Sequence, residues 1–191
     1  MSEPSPQAIR AEAIETLLVA KGLLKSSDID EVIVQFNERV GPMNGSLVVA
    51  KAWTDEKFKH RLLEDGTSAI EPFNFQGGQT DKLVVVENTD SVHNVVVCTL
   101  CSCYPWALLG LPPRWYKDPE YRSRIVREPR KVLEEFDLHL PADVEIRVWD
   151  SSAEIRYMVL PQQPERLKGN TEAELANCVE RDAMIGVAYV E

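Results

Sequence analysis

The spacing of hydrophobic residues predicts a helical first third of the chain. Over residues 6–22, apolar residues recur at helical spacing and the run ends at a glycine, which predicts an amphipathic helix. A second helix is predicted to begin near Ser27, a candidate N-cap, and to end before the Gly41-Pro42 pair. Helical spacing over 45–53 and 54–63 predicts two short helices.

The pattern changes after residue 65. The stretch GTSAIEPFNFQGGQTD is typical of a loop, and KLVVVEN and NVVVC are runs of β-branched residues suited to buried strands. The segments VEIRVWD and SAEIRYMVLP alternate apolar with polar residues, and a turn over 150–152 separates them. They predict a pair of antiparallel strands.

The end of the chain predicts one more helix and one more strand. Thr171 and Glu174 have the spacing of a capping box, which indicates a helix over 171–182, and MIGVAYV predicts a closing strand. The expected fold class is α+β: a helical N-terminal arm over 1–65, suited to contact another subunit, and a mixed α/β layered metal-binding catalytic domain with antiparallel strands over 66–191.

Charge limits the partners of the protein. The chain has 31 acidic and 21 basic residues and a net charge of -10, which disfavours nucleic acid and anionic membranes. No apolar run approaches the roughly 20 residues that span a bilayer, and MSEPSPQAIR lacks the features of a secretion signal. These features predict a cytoplasmic protein, in which clustered cysteines bind metal or do redox chemistry more often than they form disulfides.

The stretch VCTLCSCYPW contains Cys98, Cys101 and Cys103, whereas Cys178 lies far along the chain. One interpretation makes Cys98 and Cys101 small hydrophobic residues buried at the end of a strand. Another makes them part of a tetrahedral zinc site that needs a fourth ligand. The candidates for that ligand are Cys178, His60, His93 and His139.

A third interpretation follows from the atoms of Cys101-Ser102-Cys103. A metal bound by both sulfurs and by the backbone nitrogens of Ser102 and Cys103 closes chelate rings of unstrained size, and Cys98 can supply an axial sulfur. Deprotonation of amide nitrogens requires a strongly polarising ion with planar or octahedral preference. This favours trivalent cobalt or iron over zinc.

VCTLCSCYPW resembles the metal-binding motif of the nitrile hydratase α subunit. The similarity continues through VENTDSVHNVVV, LLGLPPRWYKDPEYRSRIVREPRKVL, EIRVWDSSAEIRYMVLPQQP and MIGV. It implies hydration of a nitrile to an amide at a low-spin Co(III) centre, because threonine at the position of Thr99 marks cobalt members and serine marks Fe(III) members. The thiocyanate hydrolase γ subunit shares the motif, so thiocyanate hydrolysis is the alternative activity, and a non-catalytic zinc or metal-binding protein is the alternative from another class.

The resemblance also implies roles for individual residues. Cys98, Cys101, Ser102 and Cys103 are the implied metal ligands, with Cys101 oxidised to sulfinate and Cys103 to sulfenate. The implied catalytic residues are Cys103, Cys101, Ser102, Gln79 and Trp106. Gln79 matches a glutamine of the active-site network, or is a solvated loop amide, and Trp106 matches a substrate-pocket aromatic, or is plain core. His93 is expected to form structural hydrogen bonds, and Cys178 is expected to be dispensable.

The implied partners are protein subunits. The resemblance implies a hetero-oligomer with a β-type subunit, which is split into two chains in some members, and a cobalt-loading activator protein. It also implies that the arginines that balance charge at the oxidised sulfurs come from the β subunit. In this chain the motif over 97–106 contains no Arg or Lys, and Arg114 is the nearest basic residue downstream. The chain departs from the usual family pattern at two places: Ala107 stands where the family usually has a proline, and GGQTD replaces the more common glycine-glutamate stretch. These differences suit a substrate pocket that accepts an unusual nitrile.

Overall fold

The computed structural model describes residues 6–75 and 82–190. The chain forms two compact units, Met1–Gln35 and Phe36–Glu191. The first unit contains helices α1, Pro6–Ala20, and α2, Ser26–Val34, which confirms the two predicted N-terminal helices. The predicted cap is wrong, because Ser27 lies inside α2 and the N-cap is Lys25. No residue of α1 is buried. The predicted arm over 1–65 and its role as a subunit contact stay a prediction.

The second unit begins with three consecutive helices. They are α3, Met43–Thr54, α4, Glu56–Glu64, and α5, Gly66–Ile70. The helices predicted over 45–53 and 54–63 are therefore confirmed as α3 and α4. Asp55 separates them and caps α4 by accepting a hydrogen bond from the Phe58 backbone N–H at 3.0 Å.

The strands of the second unit pair in parallel, so the predicted antiparallel pairing is wrong. The strands are β1, Leu83–Glu87, β2, Val92–Val97, β3, Glu145–Asp150, and β4, Arg156–Leu160. β1 pairs with β4 and β2 pairs with β3, each in parallel. β3 and β4 are close in sequence, but each pairs with a valine-rich strand instead, because such buried runs are typical of parallel sheets.

The parallel register determines what lies at the end of β2. Val97 lies opposite Asp150, the last residue of β3. Parallel strands finish at the same edge of a sheet. The cysteine stretch that follows Val97 therefore emerges beside Asp150.

The remaining helices are short. They are α6, Trp106–Leu109, α7, Pro119–Ile125, α8, Pro129–Glu135, α9, Glu172–Cys178, and α10, Arg181–Ile185. Further turns are a π-helical stretch, Gln35–Val40, and 3-10 turns, Glu71–Phe73, Arg114–Lys117 and Glu165–Leu167. The described helices include none with the length and apolar character to cross a membrane.

The C-terminal predictions have a mixed outcome. The capping box of Thr171 and Glu174 is present at the start of α9 and is confirmed. The predicted closing strand is wrong, since its first residues belong to α10, which is capped by Gly186 in a left-handed conformation. Gly186 permits that turn and its close packing, because a Cβ there would lie 2.0 Å from the Asn94 carbonyl oxygen.

Candidate metal centre

The cysteines following β2 form a compact cluster. The sulfur atoms of Cys98, Cys101 and Cys103 all lie within 4.8 Å of one another. The Sγ of Cys101 is 3.6 Å from that of Cys98 and 3.0 Å from that of Cys103. Cys98 and Cys103 are buried and Cys101 is exposed, so the cluster opens to the surface through Cys101.

Backbone N–H groups surround the Cys98 sulfur. The N–H groups of Cys101 and Ser102 donate to it at 3.2 Å and 3.1 Å. Burial raises the pKa of the Cys98 thiol, but hydrogen bonds from the amides of residues 100–103 outweigh burial and lower the pKa to about 7. Cys98 therefore has thiolate character, which is the form of cysteine that binds a metal.

Cys103 has the opposite electrostatic environment. Burial and the hydrogen bond with Cys101 raise the pKa of the Cys103 thiol to about 12, and the positive charge of Arg156 opposes this rise. Arg156, at the start of β4, is 6% exposed. Its Nη1 donates to the Ser152 carbonyl, whereas its Nε has no hydrogen-bond partner among the described residues. A buried cation therefore lies near the cluster.

Ser102 has an unusual backbone conformation. Its φ is 98°, a region that costs a non-glycine residue about 1–3 kcal/mol and therefore persists only where surrounding contacts hold it. The Arg122 Nη2 donates a hydrogen bond to the Ser102 hydroxyl. Arg122 comes from α7, 20 residues further along the chain.

Two further contacts hold the loop that carries the cysteines. The Asp150 carboxylate accepts hydrogen bonds from the Thr99 backbone N–H at 2.9 Å and from the Thr99 hydroxyl at 2.6 Å. The buried Tyr116 hydroxyl donates to the Cys103 carbonyl at 3.0 Å. The loop is thus held at Thr99, Ser102 and Cys103 by side chains from three separate segments.

Trp106 lies beside the cysteines. It begins α6 and packs edge-on against Phe36, with ring centroids 5.3 Å apart. It lines a cavity of about 310 Å³ together with Cys101, Ser102, Cys103, Pro112 and Lys117. The cavity combines the thiols with an aromatic wall and one ammonium group, so a small molecule can approach the cluster there.

The other predicted site residues lie elsewhere. Gln79 falls in 76–81, outside the described residues. Among the described residues, no fourth His, Cys, Asp or Glu joins the three cysteines. The candidates for a fourth zinc ligand, His60, His139, His93 and Cys178, are therefore not brought to the cluster.

Sequence reasoning missed the residues that support the loop. Arg114, the nearest basic residue downstream of the motif, is exposed, and Arg122 instead donates a hydrogen bond to the loop. Asp150, Tyr116 and Arg156 were also missed. A charged residue at the end of VEIRVWD indicates a site at a strand terminus once parallel pairing is known.

His93 has the structural role that the sequence predicted. Its Nε2 lies 2.8 Å from the Gly186 carbonyl oxygen and its Nδ1 lies 3.3 Å from the Asn88 Nδ2. The neutral tautomer with hydrogen on Nε2 satisfies both contacts, since Nδ1 then accepts from the Asn88 amide. Burial lowers the pKa of His93, although the bond to Gly186 partly opposes it.

We expect His93 to make the folded chain less stable in mild acid. The unfolded state binds a proton near the ordinary histidine pKa of about 6.5, above the lowered folded value. The free energy of unfolding should therefore fall as pH drops below about 6.5 and level off below the folded pKa. Urea unfolding at a series of pH values measures this, with His93→Gln expected to show a shallower slope than the wild type.

The exposed His60 provides the control. His60→Gln should keep the wild-type slope, because that side chain is 81% exposed. Equal slopes for His93→Gln and the wild type would contradict the assignment.

Known proteins resemble the whole chain. A profile of the nitrile hydratase α chain family matches residues 5–188. The cobalt-containing nitrile hydratase subunit alpha of Pseudonocardia thermophila is 54% identical to this chain, and the alignment covers 93% of this chain and 88% of that subunit. The thiocyanate hydrolase subunit gamma of Thiobacillus thioparus is 42% identical to this chain, and the alignment covers 98% of this chain and 82% of that subunit.

A solved structure shares the fold. A double mutant of the Fe-type nitrile hydratase from Comamonas testosteroni Ni1 aligns with a TM-score of 0.88 and 41% identity, covering 100% of this chain and 93% of that chain. The match of the family profile extends through the cysteine cluster, Trp106 and the strands that support them. The chain therefore belongs to the nitrile hydratase α chain family.

Proposed function

We propose that this chain is the metal-bearing α subunit of a nitrile hydratase, which converts a nitrile to the corresponding amide. The observation that carries the proposal is the cluster of three cysteine sulfurs opening onto a cavity lined by Trp106, in a chain of this family. The reaction adds one water across the carbon–nitrogen triple bond. It needs an electrophilic activator and a pocket of limited size, and the cluster and the cavity fit those needs.

The donor atoms fit a trivalent ion better than zinc. The proposed ligands are the sulfurs of Cys98, Cys101 and Cys103 and the backbone nitrogens of Ser102 and Cys103. The Ser102 amide donates to the Cys98 sulfur at 3.1 Å, and the Cys103 amide also lowers the pKa of that thiol. A tetrahedral zinc site normally takes four protein ligands, and the described residues offer no fourth side chain here.

Cobalt is the proposed metal. The resemblance of Thr99 to cobalt members and the 54% identity with a cobalt-containing subunit support it, although an Fe-type structure also shares the fold. When bound, such an ion supplies Lewis acidity, which polarises a nitrile or lowers the pKa of a water. The proposal includes oxidation by dioxygen of Cys101 to sulfinate and of Cys103 to sulfenate, which adds three oxygen atoms to sulfurs that line the cavity.

Different side chains have different proposed roles in binding and catalysis. Trp106 and Pro112 form apolar walls that favour the organic part of a nitrile. The oxygen that bonds to the nitrile carbon comes from a water or from the Cys103 sulfenate, with water restoring the sulfenate in the second route. Gln79 is proposed to orient the reacting groups by hydrogen bonding. Asp150, Tyr116 and Arg122 hold the loop in place.

Thiocyanate hydrolysis is the second candidate activity. The 42% identity with a thiocyanate hydrolase subunit gamma supports it, and Lys117 in the cavity provides a positive charge for an anion. The greater identity with the cobalt-containing nitrile hydratase subunit favours the nitrile. A β-type subunit and an activator that loads cobalt are the proposed partners.

The proposal is tested on the complex formed by coexpression of this chain with a β-type nitrile hydratase subunit. We expect cobalt in stoichiometric amount, three added oxygen atoms by intact mass, and turnover of nitriles in preference to thiocyanate. Thiocyanate as the better substrate would establish the second candidate. Stoichiometric zinc with unmodified cysteines would contradict both enzyme assignments.

A further inference from the structure

Arg122 is a cation without a carboxylate partner among the described residues. Its neighbour Arg124 makes ion pairs with Glu120, Glu128 and Glu135. Arg122 instead directs Nη2 to the Ser102 hydroxyl, and its Nε lies 3.5 Å from the Tyr116 carbonyl oxygen. Its guanidinium therefore contacts the cysteine loop and the 3-10 turn that contains Tyr116.

The helix that carries Arg122 is fixed to β2, the strand that ends immediately before Cys98. The neighbouring Tyr121 is buried, and its hydroxyl donates to the Val96 carbonyl at 2.9 Å, two residues before Cys98. Ile125 is fully buried on the same helix. These contacts fix the orientation of α7 about its axis relative to β2. The Cα of Arg122 is therefore held at a fixed position relative to the cysteine loop.

Ser102 is the position where that constraint matters most. Its φ of 98° sets the direction of its own backbone nitrogen and of the Cys103 nitrogen that follows. Asp150 holds Thr99 and Tyr116 holds Cys103, whereas Arg122 holds the Ser102 side chain. Loss of the hydrogen bond from Arg122 would let the Ser102 backbone relax to a negative φ. The Ser102 amide would then turn away from the three sulfurs.

Charge adds a second reason. A trivalent ion bound by three anionic sulfurs and two deprotonated amides leaves a net negative centre. A guanidinium in contact with the loop lowers the energy of that centre, and its rigid fork fixes an acceptor better than the flexible ammonium of lysine.

We propose that Arg122 is a positioning residue for the metal centre: by holding Ser102 in its unusual conformation it keeps the backbone nitrogens and sulfurs of the loop arranged for a trivalent ion. This inference rests on the proposed function. It assigns to the α chain itself a cation at the centre, in addition to those that a partner subunit would supply.

The test compares variants in the coexpressed complex. Arg122→Met removes the charge and the fork, Arg122→Lys keeps the charge, and Arg127→Met is the control, because Arg127 is exposed and donates to the Ser123 carbonyl. The measurements are the rate of metal loss to a chelator and the thiolate-to-metal absorption band. Arg122→Met should lose metal about 10-fold faster with a shifted band, the scale of loss for residues that orient ligands. Arg122→Lys should be intermediate and Arg127→Met unchanged.

A double variant shows whether Arg122 acts through Ser102. Ser102→Ala removes the hydroxyl and keeps the backbone nitrogen, so it should accelerate metal loss as well. If Arg122 acts through that hydroxyl, the double variant should lose metal no faster than Arg122→Met alone. Fully additive effects would overturn the inference.

The remaining outcomes are equally decisive. Metal loss from Arg122→Met at the rate of Arg127→Met would overturn the inference. If Arg122→Met does not assemble, Arg122→Lys and Ser102→Ala replace it, and wild-type metal retention in both would overturn it. A wild-type complex that holds cobalt but hydrates no nitrile would contradict the proposed function alone, because the retention rates still report on Arg122.

Discussion

Replacement of Cys103 by alanine is expected to abolish turnover. The change removes one of the sulfurs that would hold the metal and, with it, the sulfenate whose oxygen can bond to the nitrile carbon. Cys103 is buried next to Cys101, at a sulfur separation of 3.0 Å, so no other described side chain can take its place. We expect nitrile hydration to fall about 1,000-fold or more, as when a group that acts on the transition state is removed. Initial rates of amide formation by the coexpressed complex measure this.

Cys178→Ala is the matched control. The Cys178 sulfur donates to the Glu174 carbonyl within α9 at 3.4 Å and is not part of the cluster. This variant should keep its metal and its turnover. Loss of metal from Cys178→Ala at normal folding would revive a zinc site with Cys178 as fourth ligand, and full activity of Cys103→Ala would refute the proposed chemistry.

The cysteine cluster could be predicted because its geometry is local. Cys98, Cys101 and Cys103 lie within six residues, so a turn is enough to bring their sulfurs together. The capping box at Thr171 and Glu174 was predictable for the same reason. Both depend on contacts between residues that are near in sequence.

The supporting contacts could not be predicted because they join distant segments. Thr99 and Asp150 are 51 residues apart, and Ser102 and Arg122 are 20 apart. The first contact requires the parallel pairing of β2 with β3, whereas the short connection after Asp150 favoured an antiparallel pair with β4. The alternation of VEIRVWD shows that a strand forms, but it does not determine which strand is its neighbour.

The prediction of a closing strand was wrong for a related reason. MIGVAYV has a composition suited to a strand, but its start completes α10, and Gly186 ends that helix. The carbonyl of Gly186 accepts the hydrogen bond of His93, so this turn belongs to the buried polar network. Tertiary packing here outweighs the local preference of a short apolar run.

The isolated chain is expected to have less than a few per cent of the turnover of the complex. Its described surface exposes apolar groups that a folded protein normally covers: Leu100, inside the cysteine loop, is 87% exposed, and Ile9 and Leu17 of α1 are 53% and 55% exposed. Cys101 is also exposed, so solvent reaches the proposed centre. A partner that covers Leu100 would exclude water and add charge-balancing donors at the sulfurs. Size-exclusion chromatography followed by assay of each fraction tests this expectation.

Leu100 offers a sharper form of the same prediction. Leu100→Asp should weaken assembly and reduce turnover, because it places a carboxylate in the surface that the partner covers and beside a centre of net negative charge. It should leave the free chain folded, since the Leu100 side chain packs on almost nothing of its own chain. Val126→Asp is the control, because Val126 is 46% exposed and lies outside the cysteine loop. A monomeric chain with the full turnover of the complex, or a Leu100→Asp variant that assembles and reacts as Val126→Asp does, would refute a partner that completes the site.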